Sequence, residues 1–381
     1  MNTANVTELA RRQESLRRGG NFLSLSCNAV TTQRGHMTTV RAYCRYAVYC
    51  WKGTPPWPAS QAMVEGFLVH TLRRGLTVKA ARNYITGIMW FMRVNDIPHT
   101  PLREHPHLQR MLAGAQRQFG AVERSARPIT KQFLLMSYDK YVLPYYRKAA
   151  REIPGLLSHL ENQNPAALRN RSAVAFMNVW SAWTATLVGY YACMRLDNLL
   201  PATLTNPSNS ASFLKRGNMW VENNELWFEA ERSKTNQYGT RTHTAAITAV
   251  GGPMCAVAAM ESHSRYTYGK EHKTRGKEES LFRLRTAGRA TTTPLVHKQL
   301  VNHLKAMAKA VGWDTAGISG HSLRRGAATN AQRLDVPNVT EQVAMLGDWT
   351  SRSVHLYHEV DPASRLRLPR AIAADMRRPL A

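Results

Sequence analysis

Acidic residues are scarce in this chain. It has 381 residues, with 25 Asp and Glu against 51 Lys and Arg, and a formal charge of +26. A surface that neutralises itself is excluded, and a polyanionic partner bound with strong salt dependence is implied. The basic residues run through the whole length rather than gathering in a tail, which favours a folded surface that wraps its partner. Nucleic acid is the first candidate and an acidic membrane surface the second. Cysteine is scarce as well. Cys27, Cys44, Cys50, Cys193 and Cys255 form no CxxC pair, and their number is odd. That pattern argues against a disulfide framework and against a structural zinc site, and it fits buried reduced thiols of a cytosolic or nuclear protein. The N-terminus has no apolar signal-peptide core. Internal repeats and low-complexity segments are absent.

Long apolar runs are missing with one exception. "SAVAFMNVWSAWTATLVGYYACM", residues 172–194, carries no formal charge and is long enough to span a bilayer. It also holds Asn178, Ser and Thr clusters and Gly189, and it ends directly on Arg195. It reads as a buried core helix, apolar on every side.

What is present is a globular composition, 44% apolar, at a length that suits two domains. Residues 1–30 read as a flexible basic lead. Residues 31–118 read as a small helical domain of four helices. Val40, Tyr43, Ala47 and Cys50 lie near one face of the first helix; Ser60 and Thr77 are the N-caps of the second and third. Residues 119–129, closing on Pro128, read as a linker. Residues 130–381 form the second domain, opened by a helix capped at Thr130. Residues 218–249 change period and read as strand, hairpin at "TNQYGT" and strand. Helices return from Pro253. The tail "RLRLPRAIAADMRRPLA" reads as a basic, apolar helix that packs on a partner.

The stretch "GISGHSLRRGAATNA", Gly317 to Ala331, concentrates cations at a helix start. His321 and Arg324 share a helical face. Cations there oppose the helix dipole, so the placement costs stability unless an anion is bound. The plain reading is a solvated turn capped by Ser319. Three further residues stand in chain order around this stretch: Arg195 in "ACMRLDNLLPATL", Lys234 in "ERSKTNQYGT" and Tyr357 in "LGDWTSRSVHLYHEV". Each has an ordinary role when taken singly, as a snorkelling arginine, a surface lysine or a packing tyrosine. Arg325 reads as a structural or phosphate-backbone residue.

Together these motifs, with "RPIT" at the domain junction, resemble the tyrosine recombinase (phage-integrase) family over about residues 36–365. The resemblance implies a fold that is mainly α with a small antiparallel β-sheet. A helical core-binding domain and a mixed α/β catalytic domain would form a clamp around double-stranded DNA. It implies that Tyr357 attacks a phosphodiester to give a 3′-phosphotyrosyl link, that Arg195 and Arg324 hold the non-bridging oxygens, and that Lys234 and His321 move protons. No metal, ATP or other cofactor is implied. A homotetramer on two DNA sites is implied, in a nucleus if the host is eukaryotic and otherwise in the cytoplasm or nucleoid. Arg34, Arg41, Arg45, Arg73, Arg74, Lys79 and Arg82 are expected phosphate contacts of the helical domain, and Arg325 joins them.

Two departures stand out. The acidic residue usual three positions after the first arginine is Asn198, with Asp197 one before it. At the position before the nucleophile where histidine or tryptophan is usual, an ungapped reading gives Asp348 and the next residue is Trp349. Trp349 is preferred, since an aspartate facing a phosphate repels it. The "GDW" form resembles recombinases of eukaryotic mobile elements, Crypton-like or DIRS-like. A catalytically inactive DNA-binding protein of the same fold and a type IB topoisomerase are the alternatives.

Overall fold

The computed structural model describes residues 30–119, 126–204, 213–230, 242–271, 277–289, 291–331, 333–334, 336–348 and 362–377. The chain is mainly helical with small antiparallel sheets, and it divides into two compact units, residues 1–123 and 124–381.

The first unit is built from α1 (Val30–Cys50), α2 (Gln61–Arg73), α3 (Val78–Val94) and α4 (Pro106–Phe119). Ser60 and Thr77 cap α2 and α3, each side chain accepting the amide three residues on. The apolar stripes meet in one core around Tyr43, Met63, Phe67, Leu68, Ile88 and Met92. Gly87 lets α1 approach α3 closely, since a Cβ there would lie 2.9 Å from the Thr39 side chain. Val40, Tyr43 and Ala47 are buried as expected, but Cys50 is exposed because the helix ends on it. Among the described cysteines only Cys193 and Cys255 are buried.

The second unit is arranged around one helix. Between Lys131 and Arg169 run α5 (Lys131–Ser137), a π-helical turn (Tyr138–Val142), α6 (Leu143–Glu152), α7 (Leu156–Glu161) and α8 (Pro165–Arg169). Thr130 caps α5, its hydroxyl accepting the Phe133 amide at 3.1 Å. The long apolar run forms α9 (Arg171–Tyr191), buried on nearly every side, and no helix among the described residues is long and apolar enough to cross a membrane. Around it pack α11 (Ala256–Tyr268), α12 (His297–Ala310) and α13 (His321–Ala331), after a short α10 (Leu196–Leu199).

The strand region differs from the sequence expectation. Asn218–Ala230 is not one strand but a hairpin, β1 (Met219–Glu222) and β2 (Glu225–Ala230). Asn223 and Asn224 both take left-handed φ, 52° and 61°, as a two-residue hairpin turn demands. β3 (His243–Thr248) pairs antiparallel with β2, giving the order β1-β2-β3. A second small hairpin joins β4 (Arg283–Arg285) to β5 (Thr292–Pro294). After α14 (Val339–Leu346), the tail forms α15 (Pro362–Arg377). It lies on its own β3; Arg370 pairs with buried Glu225 at the start of β2 at 3.0 Å, and the Arg377 guanidinium donates to the Ala249 and Val250 carbonyls just after β3.

Candidate active site

At the end of α9 the chain turns through Cys193, which has a left-handed φ of 50°. The Met194 amide donates back to Gly189 at 3.2 Å, and Arg195 follows in extended backbone as the residue that begins α10. This turn lifts the Arg195 side chain out of the core. Glycine sets how closely the neighbouring elements come. A Cβ on Gly189 would meet Leu199 and Leu323 at 3.1 Å, and one on Gly320 would meet Leu196 at 2.7 Å.

The helix α13 starts from a serine-based turn. The Ser319 hydroxyl accepts the His321 amide at 3.3 Å, and Ser322 Oγ accepts the Ser319 amide at 3.0 Å. "RPIT" crosses this helix: the Arg127 amide donates to Gly317 and the Ile129 amide to the Ser322 carbonyl. The crossing occurs over Gly326, where a Cβ would fall 1.9 Å from the Ile129 oxygen. The glycine of "LRRGAA" is therefore a packing requirement. His321 and Arg325 are exposed on α13, while Arg324 is only 5% exposed.

Arg324 does not leave its charge at the N-terminus of α13. Its Nη1 donates to the Gly347 carbonyl at 2.6 Å and to the Cys193 carbonyl at 3.2 Å. Arg195 Nη1 donates to the Asp348 carbonyl at 3.1 Å, and His243 Nε2 meets the Leu346 carbonyl at 3.1 Å. Three consecutive carbonyls at the end of α14 thus each receive a donor from a different element. Helix C-termini carry partial negative charge and their last carbonyls lack intrahelical partners, so cations are favoured there. The conflict read from sequence at the start of α13 is offset at the end of α14.

The two guanidiniums are close enough to repel. Burial first, and then the neighbouring Arg195, push Arg324 down to about 9, with Cys193 and then Asp348 acting in the opposite direction. Arg324 remains charged at neutral pH. The cluster is a water-poor, doubly cationic site held mainly by neutral carbonyls, and an anion placed against it would relieve the repulsion.

Lys234, Trp349 and Tyr357 lie outside the described residues. The connection that contains Lys234 begins and ends where Ala230 pairs with His243, beside the Leu346 carbonyl. Asp348 is buried, 3% exposed, in left-handed backbone with φ 52°. Asn198 is buried and its Oδ1 has no hydrogen-bond partner among the described residues, while Asp197 faces His297 at 3.3 Å. His243, the residue sequence reasoning missed, carries no signal beyond opening a strand.

Within the helical unit, Arg34, Arg41 and Arg45 form an exposed stripe along α1, and Arg73 and Arg74 are exposed at the end of α2. Lys79, Arg82, Asn83 and Thr86 share one exposed face of α3. With Arg103 and Gln109 they line a groove of about 380 Å³ floored by Ile85 and Leu112. No cluster of three or more potential metal ligands occurs among the described residues.

No family model matches the chain, and no curated protein does. Solved structures are similar at low identity. A lambda integrase dimer bound to a COC′ core site aligns at TM-score 0.45 and 13% identity, over 96% of this chain and 77% of that one. The XerH site-specific recombinase bound to difH in a pre-cleavage complex aligns at TM-score 0.43 and 12% identity, over 77% of this chain and 64% of that one. Its post-cleavage complex on palindromic difH aligns at 0.43 and 12%, over 84% and 70%.

Proposed function

We propose that the chain is a site-specific DNA recombinase or integrase, cutting and rejoining strands through a phosphotyrosyl intermediate. The observation that carries this reading is the convergence of Arg195 and Arg324 on adjacent carbonyls, Asp348 and Gly347. The pair repels itself while backbone carbonyls orient it. A phosphodiester, the repeating anion of the partner that a charge of +26 calls for, would bring a counter-charge to both guanidiniums. Guanidinium suits the task because it stays cationic and donates in a planar fork to non-bridging oxygens.

In the proposed cycle the Tyr357 oxygen attacks phosphorus and the bond to the 5′-oxygen breaks. Lys234 gives a proton to that oxygen, and His321 takes part in proton movement at the nucleophile. The phosphotyrosyl bond keeps the energy of the phosphodiester, so rejoining by a 5′-hydroxyl needs neither ATP nor a metal. Assembly as a homotetramer on two DNA sites, with exposed arginines of the helical unit on phosphates, completes the proposal. The "GDW" form makes a eukaryotic mobile element the proposed source.

One observation favours a second reading. The Asp348 carboxylate acts on Arg324 from within the site. It would weaken the hold on a phosphate and suit a DNA-binding protein without cleavage. The test is a covalent trap on suicide duplexes cut from the flanks of the chain's own genetic element, run with EDTA beside Tyr357→Phe. A 3′-linked adduct that vanishes in the variant supports recombinase chemistry. DNA binding with no adduct on any substrate supports the silent reading. Relaxation of supercoils without site choice would make it a type IB topoisomerase.

A further inference from the structure

The row of carbonyls at the end of α14 is a junction. Leu346, Gly347 and Asp348 are consecutive, and their three donors come from β3, from α13 and from the corner between α9 and α10. The helix ends on Gly347, whose amide closes back on the Val343 carbonyl, and Asp348 follows in left-handed backbone. A short helix that stops this way frays unless its last turn is held. The arginines reach this row from α13 and from the α9–α10 corner, whereas His243 reaches it from the first residue of β3. Its carbonyl contact fixes the ring as an Nε2–H donor, since a carbonyl only accepts.

We propose that His243 is a positioning residue for strand cleavage. By holding the Leu346 carbonyl it sets the Gly347 and Asp348 carbonyls at the points from which they orient Arg324 and Arg195. A carbonyl suits this task better than a carboxylate, because it directs an N–H group without cancelling the charge that an anion must meet. The same residue closes the β2–β3 ladder opposite Ala230, where the connection to Lys234 departs. Nine residues beyond Asp348 in sequence stands Tyr357. One hydrogen bond thus ties the arginine pair to the roots of both segments that carry the remaining chemistry. The inference rests on the recombinase reading for its rate effect, but not for its geometry.

The experiment compares full-length wild type, His243→Ala and His243→Gln, the last keeping an N–H donor. Three quantities are read: single-turnover cleavage of a suicide duplex, equilibrium affinity for that duplex, and hydrogen exchange of the peptide spanning residues 343–348. For His243→Ala, cleavage falls between about 10-fold and 100-fold, as expected for displaced catalytic groups, while affinity stays within about twofold. The Gly347 and Asp348 amides lose protection, and His243→Gln restores both readouts in large part. Unchanged cleavage and exchange in His243→Ala overturn the proposal. So does a loss of cleavage matched by an equal loss of affinity, or one that glutamine does not rescue, since either marks a merely structural role. If wild type forms no adduct, the recombinase reading falls and exchange alone decides: protection unchanged in His243→Ala sinks the positioning role as well.

Discussion

Gly326→Ala turns the packing of α13 into a number. In an exposed helix position the change from glycine to alanine stabilises by about 1 kcal/mol, because the backbone loses less entropy. Gly114, in α4, is such a position: a Cβ there meets nothing within 4 Å. Gly326 is its opposite. The new Cβ would sit 1.9 Å from the Ile129 oxygen and 2.7 Å from the Ile129 nitrogen and carbonyl carbon, all of them backbone. Ordinary contact begins near 3.4 Å, so the "RPIT" strand must retreat by more than an ångström. That retreat breaks the bond from the Ile129 amide to the Ser322 carbonyl. Overpacking costs about 1–3 kcal/mol and a buried amide left without its partner about 1–3 more. After the propensity gain, a net loss of about 1–5 kcal/mol is expected. Denaturant unfolding of wild type, Gly326→Ala and Gly114→Ala gives the comparison: the first variant falls and the second rises. A Gly326→Ala protein as stable as wild type would refute the claim that this glycine exists to admit the crossing strand.

Two further outcomes follow from charge. His263 is buried against Phe282, and burial, with Arg216 adding to it against a bond to the Leu281 carbonyl, lowers it to about 4. The unfolded chain takes up this proton near 6.5 and the folded protein only near 4. Stability therefore falls as pH drops through that window, by about 3 kcal/mol at full effect, and His263→Leu should shift the acid-unfolding midpoint downward in a circular-dichroism titration. Arg82 and Arg103 line the groove on the helical unit. Replacing either by alanine should lower the slope of log affinity against log salt for duplex DNA by about 1 while affecting all sequences alike, measured by fluorescence anisotropy across a salt series.

The parts of the fold that rest on local rules were legible. Ser60, Thr77 and Thr130 are helix caps because a short polar side chain before an apolar period has one good use, and all three hydroxyls accept the expected amide. The charge-free run before Arg195 was readable as a core helix for the same kind of reason. The Asn223–Asn224 turn was missed because β1 and β2 together read as one alternating strand; only the left-handed tolerance of asparagine marks the break. The candidate site was legible as a set of residue types, not as an arrangement. Nothing in the sequence tells that Arg195 will meet the main chain of Asp348, because every residue offers the same carbonyl. Asp348 itself was weighed as a side chain, whereas its described bond to Arg195 is made by its backbone.

The shortage of acid in the composition explains the style of the site. With 25 carboxylates for 51 cations, one-to-one pairing leaves about half of the cations without an acid of their own, and arginines drawn into the interior make use of neutral partners. Arg216 lies over the Tyr268 ring at 4.1 Å. Arg285 donates to the Gln163 amide oxygen at 3.2 Å and reaches the Thr267 carbonyl. Arg324 takes the carbonyls of Cys193 and Gly347. Carbonyls and rings accept a guanidinium's hydrogen bonds or its charge without supplying a full negative charge. Acids act on two of these arginines as well, Glu279 on Arg216 and Asp348 on Arg324. Arg324 differs from the other two in its neighbour: a second guanidinium, that of Arg195, acts on it, and Arg195 is only half-buried. On the proposed reading, that pair of adjacent charges is what a phosphate would meet.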